Sequence, residues 1–210
     1  MIAPVMTRTL RRAALALALS ACGLAQAATL HVDLDTSFLS GMDGYLDLQF
    51  GRGGHSADAT ALVSHLSGLG AALPDLTGNV TALGGGSYSF SNVDSGTFND
   101  LFQAMHFGGK VSFDVSFSSL PSGSPAPDWS NFGVGLYGSD QVTALGHADD
   151  SGNLLHLYWQ PDAQGKGSVG VSVLDSAATV TAVPEPSSWL MLGAGLGLLG
   201  LVRRRRMSHN

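Results

Sequence analysis

The chain has one cysteine, Cys22, and one glutamate, Glu185, and both lie outside its long middle stretch. A disulfide within that stretch is therefore excluded, and stability there has to come from packing and turns. Basic residues are nearly as scarce. Seven of the ten Lys and Arg fall in two terminal clusters, one of Arg8, Arg11 and Arg12, the other of Arg203, Arg204, Arg205 and Arg206. Over 28–183, Arg52, Lys110 and Lys166 stand against fifteen aspartates, a formal net charge of −12. Such a surface repels nucleic acid and anionic membranes, so neither is expected as a partner of the middle stretch. It favours solubility and attracts cations. No repeat of fixed period is present.

What the ends do contain reads as addressing. The first arginine cluster precedes an apolar segment at 13–19, and Ala25-Gln26-Ala27 supplies a small-x-small cleavage pattern. This predicts a secretory signal peptide over 1–27, cut between Ala27 and Ala28. Leu19-Ser20-Ala21-Cys22 also fits a lipoprotein box, which would lipidate Cys22. Cleavage after Ala27 is preferred, because a lipid is redundant beside a second membrane anchor at the other end. That anchor is the apolar run 187–202, 16 residues long. As a helix it spans roughly 24 Å, short of the ~30 Å hydrocarbon core. The arginines that follow can snorkel to the headgroups and predict a cytoplasmic C-terminus for a transmembrane helix. A buried core helix is the competing reading. Gly193, Gly195, Gly197 and Gly200, with the one-sided charge, argue against it.

Val183-Pro184-Glu185-Pro186, the apolar run and Arg203, Arg204, Arg205 and Arg206, in that order, resemble the PEP-CTERM sorting signal. The resemblance covers about 183–207. It implies a Gram-negative bacterium that makes extracellular polysaccharide, with cleavage by an exosortase near the Pro-Glu-Pro. The protein would sit transiently in the inner membrane, then be released or attached beyond it. In that reading Pro184, Glu185 and Pro186 are recognition residues for the processing enzyme and take no part in the mature function. The chain then divides into a signal peptide at 1–27, an exported domain at 28–182 and the sorting signal at 183–210.

The exported stretch is one domain's worth of chain. Period-two alternation dominates it. In KVSFDVSFS, Val111, Phe113, Val115 and Phe117 point one way and Ser112, Asp114 and Ser116 the other, the pattern of a strand with one buried face. Leu46, Leu48 and Phe50 face inward in the same way, with Asp47 and Gln49 outward. Phe132, Val134 and Leu136 alternate likewise, as do Val169, Val171 and Val173. Further short strands are expected at 29–35, 59–65, 79–83, 87–91 and 154–159, separated by turns rich in Gly, Asp, Asn and Ser. A surface loop is expected at 121–128. Two stretches invite a helix. One is 97–103, with Thr97 as cap; the other is 57–73, through Leu62, Leu66 and Leu69. Gly68 and Gly70 weaken the second, which is kept as a strand. Nine or so strands with few helices predict an all-β fold, an antiparallel β-sandwich of which the jelly roll is one form. HVDLDTSFLSGMDGYLDLQF and FNDLFQAMHFGGKVSFDVSF resemble, more weakly, an uncharacterised family of exported proteins with the same sorting signal. That resemblance implies a one-domain β fold and no activity.

Little in the domain points to catalysis. A glycosidase needs two carboxyl groups about 5 to 10 Å apart, and here any such pair would be Asp–Asp. His31, His55, His65, His106, His147 and His156 show no helical metal-pair spacing. Gly51-Arg52-Gly53-Gly54-His55-Ser56 looks like a phosphate loop but lacks its Lys-Ser/Thr ending. Asp149-Asp150-Ser151-Gly152-Asn153 offers hard oxygen ligands for calcium without an EF-hand's loop length or closing Glu, and a hairpin turn is preferred. Asp33, Asp35 and Asp43 form a second, weaker cluster. Trp129, Tyr137, Tyr158 and Trp159 are candidates for stacking on sugars; Tyr158 and Trp159 lie on opposite strand faces, so at least one is expected in the core. No catalytic residue, metal or cofactor is assigned. The leading expectation is a non-enzymatic surface or matrix protein, structural or adhesive, associated with exopolysaccharide and biofilm. The alternative is a carbohydrate-binding module, and a polysaccharide hydrolase comes third. Intact-mass analysis of protein from the native host is expected to show a mature form that begins at Ala28 and ends near Pro186. A form that keeps the four terminal arginines, or a diacylated Cys22, would contradict this.

Overall fold

Alternating sequence becomes paired strand wherever one face can be covered. The structure, a computed structural model, describes residues 29–93 and 98–183. Twelve strands occur there: β1 (Thr29–Asp35), β2 (Asp43–Arg52), β3 (Ala59–Ser67), β4 (Asp75–Thr77), β5 (Val80–Gly84), β6 (Ser87–Ser91), β7 (Asn99–His106), β8 (Lys110–Ser119), β9 (Ser130–Gly138), β10 (Asn153–Pro161), β11 (Gly167–Val173) and β12 (Ala178–Val183). A 3₁₀ turn at Ser37–Leu39 is the only helical element among the described residues. The strands form two six-stranded antiparallel sheets. The first runs β12-β1-β8-β3-β6-β5 and the second β11-β10-β9-β2-β7-β4.

One core lies between them. Val32, Leu34, Val111, Phe113 and Val115 of the first sheet, and Leu46, Leu48, Leu101, Val134, Leu136 and Leu157 of the second, are fully buried in a single cluster. At one end five rings interlock. Phe117 of β8 stacks on Trp159 of β10 (5.6 Å, 11°), Phe90 of β6 meets Phe132 of β9 edge-on (5.7 Å), and Phe50 of β2 packs against both Phe117 and Phe132. Trp159 is buried without leaving its donor unsatisfied, because Nε1 donates to Ser119 Oγ at 2.8 Å across the sheets. A bulge between Asn153 and Leu155 lets consecutive Leu154 and Leu155 both be buried.

The expected all-β character is what the structure has, with three differences in detail. The described part of the 97–103 stretch, from Phe98, is not helical. From Asn99 it is β7, paired with β2 from Asp43↔His106 to Phe50↔Asn99, and cross-strand pairing overrides the local apolar spacing that invites a helix. Thr97 lies outside the described residues. Two strands escape the sequence pattern, three-residue β4 and β12, whose Ala and Thr alternate weakly. The row Val169, Val171 and Val173 faces inward but from an edge strand, so Val171 and Val173 remain exposed. The 57–73 stretch is strand up to Ser67 and stops where Gly68 takes a φ of +85°; a Cβ there would strike the Lys110 carbonyl.

No helix among the described residues is long and apolar enough to cross a membrane. The expected signal peptide with Ala27 and Ala28, Pro184, Glu185, Pro186, the run at 187–202, and Arg203, Arg204, Arg205 and Arg206 all lie outside the described residues. Phe132 touches three other rings, so Phe132→Ala is expected to cost about 3–5 kcal/mol in denaturant unfolding. A loss below about 1 kcal/mol would show that the ring cluster does not join the sheets.

Candidate functional site

The outward face of the second sheet carries the densest chemistry. Alternation that buries Leu46, Leu48 and Phe50 turns Tyr45, Asp47 and Gln49 outward. Register then sets Tyr45 beside Tyr137, Asp47 between Phe102 and Gly135, and Gln49 between Asp100 and Gly133. Tyr45 stacks on Phe102 at 4.6 Å and 9°, and Phe102 packs against Tyr137 at 5.9 Å. The β9–β10 connection folds back here: Tyr137 Oη donates to the Ser151 carbonyl at 3.4 Å, and a Cβ on Gly152 would collide with that hydroxyl. With neighbours this large, Asp47 is only 3% exposed. Asp47 points outward as expected, but it is covered.

Burial, first, and then the hydrogen bond and charge of Asp100 push the Asp47 carboxyl up to about 8. Asp100 is raised as well, by burial and then by the charge of Asp75, while its bond with Asp47 pulls the other way. Gln49 Nε2 donates to Asp47 Oδ2 at 2.5 Å. The buried Oδ1 atoms of Asp47 and Asp100 find no hydrogen-bond donor, and two neighbouring buried carboxyls in that position are stabilised by keeping one proton between them.

Asp149 is held differently. Burial opposes its ionisation, yet hydrogen bonds from Ser151, His156 and Asn153 outweigh it and bring the carboxyl to about 2. Ser151 N and Oγ reach Oδ1 at 3.0 and 2.7 Å, Asn153 N reaches it at 3.1 Å, and His156 Nε2 meets Oδ2 at 2.7 Å. The turn considered for calcium therefore has this carboxylate committed to internal donors. Asp33, Asp35 and Asp43 are not brought together around a common point: Asp33 accepts from Ser112 and Lys110, Asp35 from the Ser37 amide, and Asp43 pairs with His106. Among the described residues no group of three or more His, Cys, Asp or Glu is arranged to hold a metal. In the loop at 51–56, Arg52 is turned to the Ser56 carbonyl and to Asp58.

On the outward face of the first sheet, Asp114 of β8 receives His31 Nδ1 of β1 at 2.7 Å and His65 Nδ1 of β3 at 2.9 Å. His65 sits at a bulge with a φ of +57°. The bond to Asp114 raises the His31 pKa against burial, with the charge of Asp33 adding to it.

The sugar-stacking candidates divide. Trp159 is in the core and Tyr137 belongs to the group over Asp47. Trp129, 53% exposed, meets Tyr158 edge-on at 5.8 Å, and Tyr158 stacks on His156 at 5.5 Å. Beside them lies an open hollow of about 460 Å³ lined by Trp129, Tyr158, Gln160, Ser168 and Gly170. Sequence reasoning named both rings but missed the Asp47–Asp100 pair and the histidines on Asp114. Only the strand register brings those groups together, and no local motif announces it.

The family model of the PEP-CTERM protein-sorting motif matches residues 182–206. The chain carries that motif, and the match begins inside β12. No curated protein and no solved structure matches the chain significantly. The motif implies export, sorting by an exosortase and transient anchoring in the membrane. Pro184, Glu185, Pro186 and Arg203, Arg204, Arg205 and Arg206 fall within the matched span.

Asp47 keeps its proton to about pH 8 when folded, against 3.8 for a free carboxyl. Folding therefore takes up a proton between these values, and this contribution to stability is lost as pH rises from about 4 to about 8. Asp47→Asn, whose amide still donates to Asp100, is expected to flatten the fall of melting temperature over that window. Parallel curves for the two proteins would refute the shared proton.

Proposed function

We propose that the protein is a non-enzymatic component of an extracellular polysaccharide matrix, structural or adhesive, in a Gram-negative bacterium. The observation that carries this reading is the sorting motif, whose match starts at Ala182 in the last strand of the domain. The two sheets form a β-sandwich on this reading, and the motif delivers it beyond the inner membrane for processing by the exosortase. The domain's charge fits an extracellular site: at −12 it stays dispersed and keeps clear of anionic headgroups. Its most perturbed carboxyl, Asp47, is covered by rings and paired with Asp100, so it is poorly placed to protonate a leaving group.

Deleting the gene is expected to weaken the cohesion of biofilm or floc, and a plasmid copy to restore it. Purified protein incubated with the host's own polysaccharide is expected to release no reducing ends above buffer. Release that disappears in an Asp→Asn variant would replace this reading with a hydrolase. Unchanged cohesion after deletion would remove it altogether.

A further inference from the structure

The hollow beside Trp129 has a chemical character of its own. Trp129 immediately precedes β9, whose Asn131 lies across from Tyr158 of β10, and its ring meets that of Tyr158 edge-on where the chain enters the strand. Tyr158 is braced from behind. Its ring stacks on His156 at 13°, and His156 is fixed between Asn131 Oδ1 at 3.1 Å and Asp149 Oδ2 at 2.7 Å. On the far side the next strand offers nothing bulky, because Gly170 is directly opposite Tyr158. A Cβ on Gly170 would find its nearest neighbour, Tyr158 Cβ, at 3.7 Å, so the space above it is open. Gln160 Nε2 donates to the Ala126 carbonyl at 3.1 Å, which orients the amide and leaves Oε1 as an acceptor. Ser168 adds a hydroxyl.

We infer that this hollow binds an uncharged stretch of polysaccharide, with Trp129 and Tyr158 stacking on sugar faces and Gln160 and Ser168 bonding hydroxyls. The inference rests on the matrix reading above and names the ligand class that reading leaves open. Its volume, about 460 Å³, lies within the ~300–1,000 Å³ of small-ligand sites, enough for a short run of sugar rings rather than a long buried chain. Aromatic faces take up the apolar C–H faces of a sugar, while neutral amide and hydroxyl groups satisfy its hydroxyls without the desolvation of a charge. A uronic-acid or sulfated chain meets the repulsion of a domain at −12. A proline-rich peptide also docks on paired aromatic rings, but it gains less from groups that match several hydroxyls.

The test uses the processed protein purified from its host. It is run through native gels containing the host's extracellular polysaccharide, split by anion exchange into neutral and anionic fractions, with polyproline as a separate arm. Retardation by the neutral fraction is expected. Trp129→Ala is expected to weaken it about tenfold, the scale of an aromatic hot spot. Gly170→Val keeps both rings and suits a strand, yet fills the hollow, and it is expected to weaken binding comparably. Melting curves of both variants should match the parent, since both positions are exposed. No retardation by the neutral fraction, retardation only by the anionic fraction or by polyproline, or retardation indifferent to both substitutions would overturn the site. The two readings can fail separately. If cohesion falls on gene deletion while the Trp129→Ala strain behaves as parent, the site is wrong and the matrix role stands. If the protein binds the neutral fraction but deletion leaves cohesion intact, the matrix role is wrong and the site stands.

Discussion

Five aromatic rings between the sheets are the contact on which the remainder of the structure depends. Phe90 and Phe117 reach from the first sheet and Phe50, Phe132 and Trp159 from the second. No cysteine lies within the described residues to cross-link the sheets, so area removed from water has to supply the cohesion, and aromatic side chains supply the most per residue. Close approach of the sheets also traps polar groups, and these are satisfied locally. Asn92, fully buried at the seam, accepts from the Ala59 amide at 2.7 Å and donates to the Ala57 carbonyl and to Ser130 Oγ, joining β3 to β9. With the inside closed in this way, the outward faces are free to vary, and both perturbed carboxyl groups and the exposed rings are found there.

An excess of aspartate over lysine and arginine raises the question of what holds so many carboxylates. Backbone amides do much of it. Asp140 accepts from the Val142 and Thr143 amides, Asp162 from those of Gln164 and Lys166, and Asp175 from those of His147 and Ala177. In each case a side-chain oxygen closes the turn that follows or docks a neighbouring loop, the habit that makes Asp a turn former. Fixed peptide dipoles therefore replace mobile cations. Two of these carboxylates are pulled below the ordinary range, Asp140 by the Thr143 hydroxyl and then by the Thr143 and Val142 amides, Asp175 by the Ala177 and His147 amides. The Asp47–Asp100 pair answers the same pressure in the opposite way, by keeping a proton where the Oδ1 atom of each carboxyl finds no donor.

Much of the strand layout was legible because alternation survives wherever a strand has one wet face. Residues 29–35 and 87–91 are strands to the residue, and the 110–118 pattern extends by one position. The failures have a common cause. At 99–106 the outward row carries Phe102, as apolar as the inward Leu101, because the outward face is itself partly covered, and the alternation blurs. The same cover hides Asp47. Sequence marks a charged residue between two leucines as exposed, but the ring that shields it comes from a strand more than fifty positions later. The hollow was half legible: Trp129 and Tyr158 stood out as aromatic residues, while the glycine that opens space between them is informative only once Gly170 is known to face Tyr158.

One rung of the first sheet has a mechanical meaning. Thr29 pairs with Val183 at the outer end of the β1–β12 ladder, which runs on to Leu34↔Ala178. β12 is an edge strand, hydrogen-bonded within its sheet to β1 alone. A tension applied through the chain at Val183 falls on that first rung and opens the ladder in sequence, like a zipper, instead of loading its six rungs together in shear. Such a force is dissipated by peeling one short strand, while β9 and β10, which belong to the other sheet, keep Tyr158 and the adjoining Trp129 in place.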